Sequence, residues 1–314
     1  MLDLKNKRIA VTGGKGFLGG HIIDRLKLID AHDVVSIDHS YFDLRSSRDV
    51  RTMFGLYRPE IVIHCAAKVG GIGLNKAKPG ELFFDNAIMG MLLMDEACRR
   101  GVEKFVQLGT ICSYPKDPPI PFVEEDIWEG YPEETNAPYG ISKRALITMG
   151  QAYRKQYGFN VINLLPVNLY GPRDHFDLET CHVIPAMIRK FDGAVKSGAA
   201  TVTFWGTGNA TREFIYAKDA ARAIVAATEH YDKPEPVNIG TGIDIPIRSL
   251  ALMIAEKMGY KGEIHFNADM PDGQPHRRLD ISKAKREFDF EPRWSLDEGL
   301  DKTIEWYKEN PCAK

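Results

Sequence analysis

Arg8-Ile-Ala-Val-Thr12, followed at once by Gly13-Gly-Lys-Gly16-Phe-Leu-Gly19, decides how this chain is read. A short run rich in β-branched residues is a buried strand, and the glycines after it open a stretch with helical periodicity. G-x-x-G-x-x-G at such a turn lets backbone N–H groups approach a pyrophosphate, which rests on the positive end of the helix. Glycine spacings of this kind also occur in ordinary loops. The strand before it and the helix after it favour a dinucleotide cradle.

Working outward, Val34-Val-Ser-Ile37, Ile61-Val-Ile-His64, Phe105-Val-Gln-Leu108 and Val161-Ile-Asn-Leu-Leu165 read as further buried strands. Residues 19–29, 47–57, 80–100 and 139–157 carry helical periodicity between them. The alternation predicts parallel βαβ units and a Rossmann-type, doubly wound α/β sheet over residues 1–170. From 171 to 314, proline and glycine punctuate shorter elements, which predicts a smaller, mostly helical substrate-binding domain with some segments returning to the sheet.

The composition narrows the class. Of 314 residues 44% are hydrophobic and 27% charged, enough apolar material for a large core. Forty-one Lys plus Arg against 43 Asp plus Glu leaves −2, no excess for a nucleic-acid backbone. No apolar run approaches the ~18 residues of a membrane span. Residues 1–7 are charged and lead straight into a strand, so no signal peptide is expected. Five cysteines (Cys65, Cys98, Cys112, Cys181 and Cys312), an odd number without C-x-x-C spacing, argue against a disulfide framework and a structural zinc. Cys181 beside His182 has no partner cluster, so no metal is expected. The expectation is a cytoplasmic protein with no nucleic-acid or membrane partner.

Asp38 ends the second strand, where a carboxylate holds ribose hydroxyls and favours NAD. Lys15, His39 and Arg45 lie near it in sequence and suit the 2′-phosphate of NADP, so the residues leave that choice open. Tyr139-Gly-Ile-Ser-Lys143 places a phenol and an ammonium on one helical face. A free tyrosine, with a pKa of ~10, is a poor proton shuttle at neutral pH, and a neighbouring cation is expected to favour its phenolate. Thr110, after the fourth strand, supplies a hydroxyl beside them. Cys112 stands near the same edge, and His182 is far away in sequence. A thiol and an imidazole suit proton removal and return beside a ketone, while their bland readings are a small buried hydrophobe and a hydrogen-bonded core histidine.

Seven stretches carry a resemblance: Ala66-Ala-Lys-Val-Gly-Gly-Ile72, Leu108-Gly-Thr-Ile-Cys-Ser-Tyr-Pro115, Glu134-Thr-Asn-Ala-Pro-Tyr139, Asn168-Leu-Tyr-Gly-Pro172, His182-Val-Ile-Pro-Ala186, Arg212-Glu-Phe214 and Pro271-Asp-Gly273. Over nearly its whole length the chain resembles the extended short-chain dehydrogenase/reductases that act on nucleotide sugars, in particular the GDP-L-fucose synthases. The resemblance implies an NADP(H)-dependent 3,5-epimerase and 4-reductase of a GDP-4-keto-6-deoxy sugar. It places the catalytic roles on Thr110 (usually serine), Tyr139, Lys143, Cys112 and His182. Cofactor contacts fall on Gly13, Lys15, Gly16, Phe17, Leu18, Gly19, Asp38, Asp43, Leu44, Ala66, Leu108, Lys143, Pro166, Asn168, Leu169 and His182. Substrate contacts fall on Lys190 (commonly arginine), Trp205, Arg212 and Asp272. Asp38 departs from the basic residue the family commonly carries there, which keeps NAD in view. The related dehydratases place an Asp-Glu pair where Ile111-Cys112 stands. A homodimer through helices 80–100 and 139–157 is also implied. The alternatives change the sugar (a GDP-colitose or GDP-6-deoxyheptose synthase) or reduce the reaction to 4-reduction, and a catalytically inactive nucleotide-binding regulatory protein stands as the non-enzyme reading. Arg277 and Arg278 read equally as a diphosphate site and as a surface basic face.

Overall fold

The computed structural model describes residues 1–270 and 273–310. In chain order the first part runs β1 (Ile9–Thr12), α1 (Phe17–Leu28), β2 (Val34–Ile37), α2 (Ser47–Tyr57), β3 (Ile61–His64), α3 (Ile72–Ala77), α4 (Pro79–Arg99), β4 (Lys104–Leu108), α5 (Ala137–Tyr157) and β5 (Val161–Pro166). It continues with β6 (Asn168–Tyr170), α6 (Val183–Ser197), β7 (Thr201–Trp205), β8 (Thr211–Tyr216), α7 (Ala217–His230), β9 (Val237–Ile239), β10 (Asp244–Pro246), α8 (Ile247–Met258), β11 (Glu263–Asn267), α9 (Ser282–Phe288) and α10 (Leu296–Glu309).

Six strands form one parallel sheet in the order β2-β1-β3-β4-β5-β9. The strand period of two divides each run between the faces. Ile9, Val11, Ile61, Ile63 and Val106 join Ile22, Leu26 and Ile224 on one side, while Ala10, Val62 and Phe105 join Val50, Phe54, Leu93 and Met94 on the other. Burial on both faces is why these strands read as unbroken apolar runs. The pairing Thr12↔His64 and Leu108↔Leu164 sets the carboxyl ends of β1, β3, β4 and β5 along one edge.

Beyond residue 170, β9 pairs with β5 in this sheet, and α7 packs on α1. The remainder is mostly helical around two small sheets, β10-β8-β6 and β11-β7. Phe191, Phe204, Ile254 and Tyr307 lie at the centre of its own core. The strand expectations match to within a residue, and the helix of residues 139–157 starts two residues earlier, with Pro138 in its first turn, where a missing N–H costs nothing.

Candidate active site

The glycine turn at the end of β1 closes as the sequence requires. Gly13 sits at φ 67 and donates its N–H to Ile37, and Gly16 donates back to Gly13. A Cβ on Gly19 would fall 2.2 Å from the Gly13 carbonyl oxygen, so only glycine lets α1 approach this closely. Gly16 caps α1 with no side-chain hydrogen bond, which leaves the first-turn N–H groups beside Lys15, Phe17 and Leu18 for a ligand. An uncapped helix start behind a glycine turn fits the pyrophosphate of a dinucleotide.

At the end of β2, Asp38 accepts the Ser40 N–H at 2.8 Å, and this bond, with Lys15 3.6 Å away, holds its carboxyl below the usual range. Lys15 lies over the Tyr41 ring and His39 stands in solvent beside Asp38. Arg45 is committed elsewhere. It bonds both oxygens of Asp43 and reaches Asp85, which leaves Lys15 and His39 of the three expected groups beside Asp38. Leu44 is buried in the core.

The loop after β3 is tied to β1, since Ala66 donates to the Thr12 hydroxyl, which lies 2.8 Å from His64 Nδ1. Buried Asn86 holds both ends of Lys68's peptide unit. Gly71 donates to Thr180, which brings the segment before His182 to this edge. His182 is the residue before α6; part of its surface reaches solvent, while its ring is set among protein atoms. The protein around it and nearby His175 hold its pKa below the ordinary value. Pro166 closes β5, Asn168 donates to the Glu213 carbonyl at 2.8 Å, and Leu169 packs on the core.

After β4 the chain turns through one 3-10 turn, Ile111–Ser113, whose Cys112 N–H is capped by Thr110 Oγ1 at 3.2 Å. The start of α5 presses on this turn: a Cβ at Gly140 would lie 2.2 Å from the Cys112 carbonyl oxygen. That contact brings Tyr139 near Thr110, whose hydroxyl acts to lower the pKa of the phenol. Burial nevertheless dominates and pushes the Tyr139 pKa up, the reverse of the expected effect of Lys143. Lys143 is itself buried, donates to the Leu108 carbonyl at 3.1 Å and lies 5.9 Å from the Tyr139 ring centroid. Its pKa falls to about 8, because burial disfavours its charge more than the neighbouring Cys65 supports it. The phenol thus rests protonated at neutral pH, as a proton donor must.

Of the substrate positions, Lys190 on α6 donates to Thr203 and lies over Phe204, and Trp205 stands exposed at the end of β7. Arg212 on β8 donates to the carbonyls of Thr211 and Gln274. Asp272 and Cys312 lie outside the described residues. Arg277 is not part of a surface face; it is buried against Cys112, while Arg278 faces Asp244 at the edge. Sequence reasoning also passed over Glu213, a buried carboxylate that accepts the N–H groups of Thr241, Gly242 and Leu279. Its signal was an acidic residue inside an apolar strand, Glu213-Phe-Ile-Tyr216. Among the described residues no three His, Cys, Asp or Glu side chains gather as metal ligands, and no helix is long and apolar enough to cross a membrane.

The NAD dependent epimerase/dehydratase family model matches residues 9–240. The chain is 41% identical to the GDP-L-fucose synthase of Sinorhizobium fredii over 310 residues, 99% of this chain and 98% of that one. It is 39% identical to a probable GDP-L-fucose synthase 1 of Oryza sativa over 98% of this chain and 93% of that one. Among solved structures, the GDP-mannoheptose C4 reductase of Campylobacter jejuni with NADP bound superposes with a TM-score of 0.88 at 28% identity, covering 98% of this chain and 100% of that one.

Proposed function

The chain belongs to the NAD dependent epimerase/dehydratase family, and from that premise we propose that it is an NADP(H)-dependent 3,5-epimerase and 4-reductase of a GDP-4-keto-6-deoxy sugar, of the GDP-L-fucose synthase type. The observation that carries the reading is the meeting of Thr110, Tyr139, Lys143 and Cys112 at one sheet edge. There the loop after β3 holds the backbone just before His182.

The α1 N-terminus, with Lys15 and Asp38 beyond it, would hold the cofactor, which when bound supplies the hydride for C-4. Thr110 and Tyr139 hydrogen-bond the C-4 oxygen and stabilise the negative charge it gains as a proton leaves the neighbouring carbon. Cys112 and His182 serve as opposed base and acid, so that C-3 and C-5 invert. Tyr139 then gives its proton to the C-4 oxygen, and Lys143 restores the local charge balance. Lys190 and Arg212 supply positive charge for the diphosphate, with Trp205 against the base or ribose.

The same reading carries a cytoplasmic homodimer. Its support is the number of large apolar side chains these helices leave exposed in the single chain, Phe83, Phe84 and Met91 on α4 and Tyr157 on α5. A second reading, 4-reduction alone, draws on the likeness to the Campylobacter GDP-mannoheptose C4 reductase. NMR of the product formed from GDP-4-keto-6-deoxymannose and NADPH separates the two. The fucose-configured sugar supports the first reading, and an un-epimerised 6-deoxy sugar replaces it with the second.

A further inference from the structure

Arg277 has no role in the scheme above, yet it is buried, only 7% exposed. Among the described residues no carboxylate lies within ion-pair distance of it. A buried guanidinium without an acidic partner is costly and calls for another anion. Its Nη1 lies 3.7 Å from Cys112 Sγ, across 165 residues of sequence. We propose that Arg277 is a positioning residue that holds Cys112 as the thiolate, the form in which it takes the substrate proton.

The geometry is built rather than incidental. Arg277 Nε donates to Gln274 Oε1 at 2.8 Å, and the Gln274 amide nitrogen donates to the Lys116 carbonyl. The flanking chain is fixed as well. Phe122 donates to the Arg278 carbonyl at 2.8 Å, Leu279 to Glu213 at 2.7 Å, and Asp280 to the Phe122 carbonyl at 2.9 Å. With Nε and the backbone both tied, the guanidinium keeps one orientation toward the sulfur. Among the described residues, Cys112 is met by the Arg277 guanidinium and, from α5, by the Tyr139 phenol, which stays neutral. Arg144, also on α5, turns to the carbonyls of Ser113 and Gly130 instead.

An unassisted thiol, with a pKa of ~8.5, is a few per cent ionised at neutral pH, and an adjacent cation raises that fraction. Resting on the epimerase reading, the step balances as follows. The thiolate sulfur takes the proton from C-3 or C-5, the C–H electron pair moves into the enolate and onto the C-4 oxygen, and a proton returned to the opposite face restores the ketone. No net oxidation occurs in this half of the reaction.

The test is the pH dependence of iodoacetamide labelling at Cys112, read peptide by peptide by mass spectrometry in the full chain, without substrate. Burial pushes the Cys65 and Cys181 thiols up, to about 12 and about 11, and raises Cys98, so these sites label slowly. The wild-type midpoint is expected below the ordinary ~8.5, Arg277→Gln should raise it by about one pH unit or more, and Arg277→Lys should restore most of the difference. The pH profile of C-3 and C-5 deuterium exchange should move by the same amount, with KM changed far less. A wild-type midpoint at or above ~8.5 overturns the proposal even if every variant misfolds. So does an unmoved midpoint with a raised KM in Arg277→Gln, which would make Arg277 a diphosphate ligand. A shifted midpoint with an unmoved exchange profile also overturns it. A wild-type chain that neither exchanges nor reduces this sugar removes the substrate reading, while the labelling midpoints still decide whether Arg277 holds the thiolate.

Discussion

Lys143→Met should make the protein more stable at neutral pH while abolishing its turnover. Lys143 is 2% exposed and its pKa falls from 10.5 to about 8 on folding. The folded chain therefore holds this proton more weakly than the unfolded chain does. Below about pH 8 both states carry the charge, and burying it costs about 3 kcal/mol. The cost fades as pH rises from about 8 to 10.5, because the folded ammonium is by then neutral, and above 10.5 it is gone. Methionine fills a similar volume without charge. It forfeits the bond to the Leu108 carbonyl, but that oxygen keeps the Gln107 amide at 2.7 Å, so the loss is about 1 kcal/mol or less. The net gain at pH 6.5 should be about 2 kcal/mol, disappearing near pH 10. Urea unfolding at one protein concentration, followed by tryptophan fluorescence across this pH range, measures it. A variant no more stable than wild type at pH 6.5, or a gain independent of pH, would refute the reasoning.

Tyr139→Phe removes the proposed proton donor and keeps the ring, so turnover should drop by about 10²–10⁴ while NADPH binding, followed by fluorescence titration, changes little; wild-type-like turnover would take the role away from Tyr139. Cys112→Ser leaves Tyr139 and Lys143 in place, so deuterium incorporation at C-3 and C-5 should slow or stop while 4-reduction of the un-epimerised ketosugar persists. Normal incorporation at both carbons would make the thiol a core residue and the enzyme a 4-reductase. Asp38→Ser removes a carboxylate held in its charged form at the proposed place of the cofactor's 2′-phosphate, and kcat/KM for NADPH relative to NADH should rise about tenfold, ~1.4 kcal/mol. An unchanged ratio would place Asp38 outside cofactor selection.

What the sequence determined by itself was everything governed by neighbours along the chain. Burial on both faces made β1, β3, β4 and β5 legible as apolar runs, the glycines at 13, 16 and 19 marked a turn that tolerates no side chain, and Tyr139 with Lys143 declared one helical face. Local spacing could not give the sign of a pKa or the partner of a charge. The ammonium four residues on suggested a lowered phenol; burial by the packed turn of Ile111–Ser113 and the sheet edge raised it instead. Glu213 drew no notice of its own and Arg277 read equally as a diphosphate ligand or a surface cation until β8 and the segment after Gly273 folded them inside. There one gathers three backbone amides and the other meets Cys112. Desolvation and Coulomb contact depend on which atoms surround a group in space, and for these residues the deciding atoms lie from about thirty to 165 residues away along the chain, brought together only by the tertiary fold.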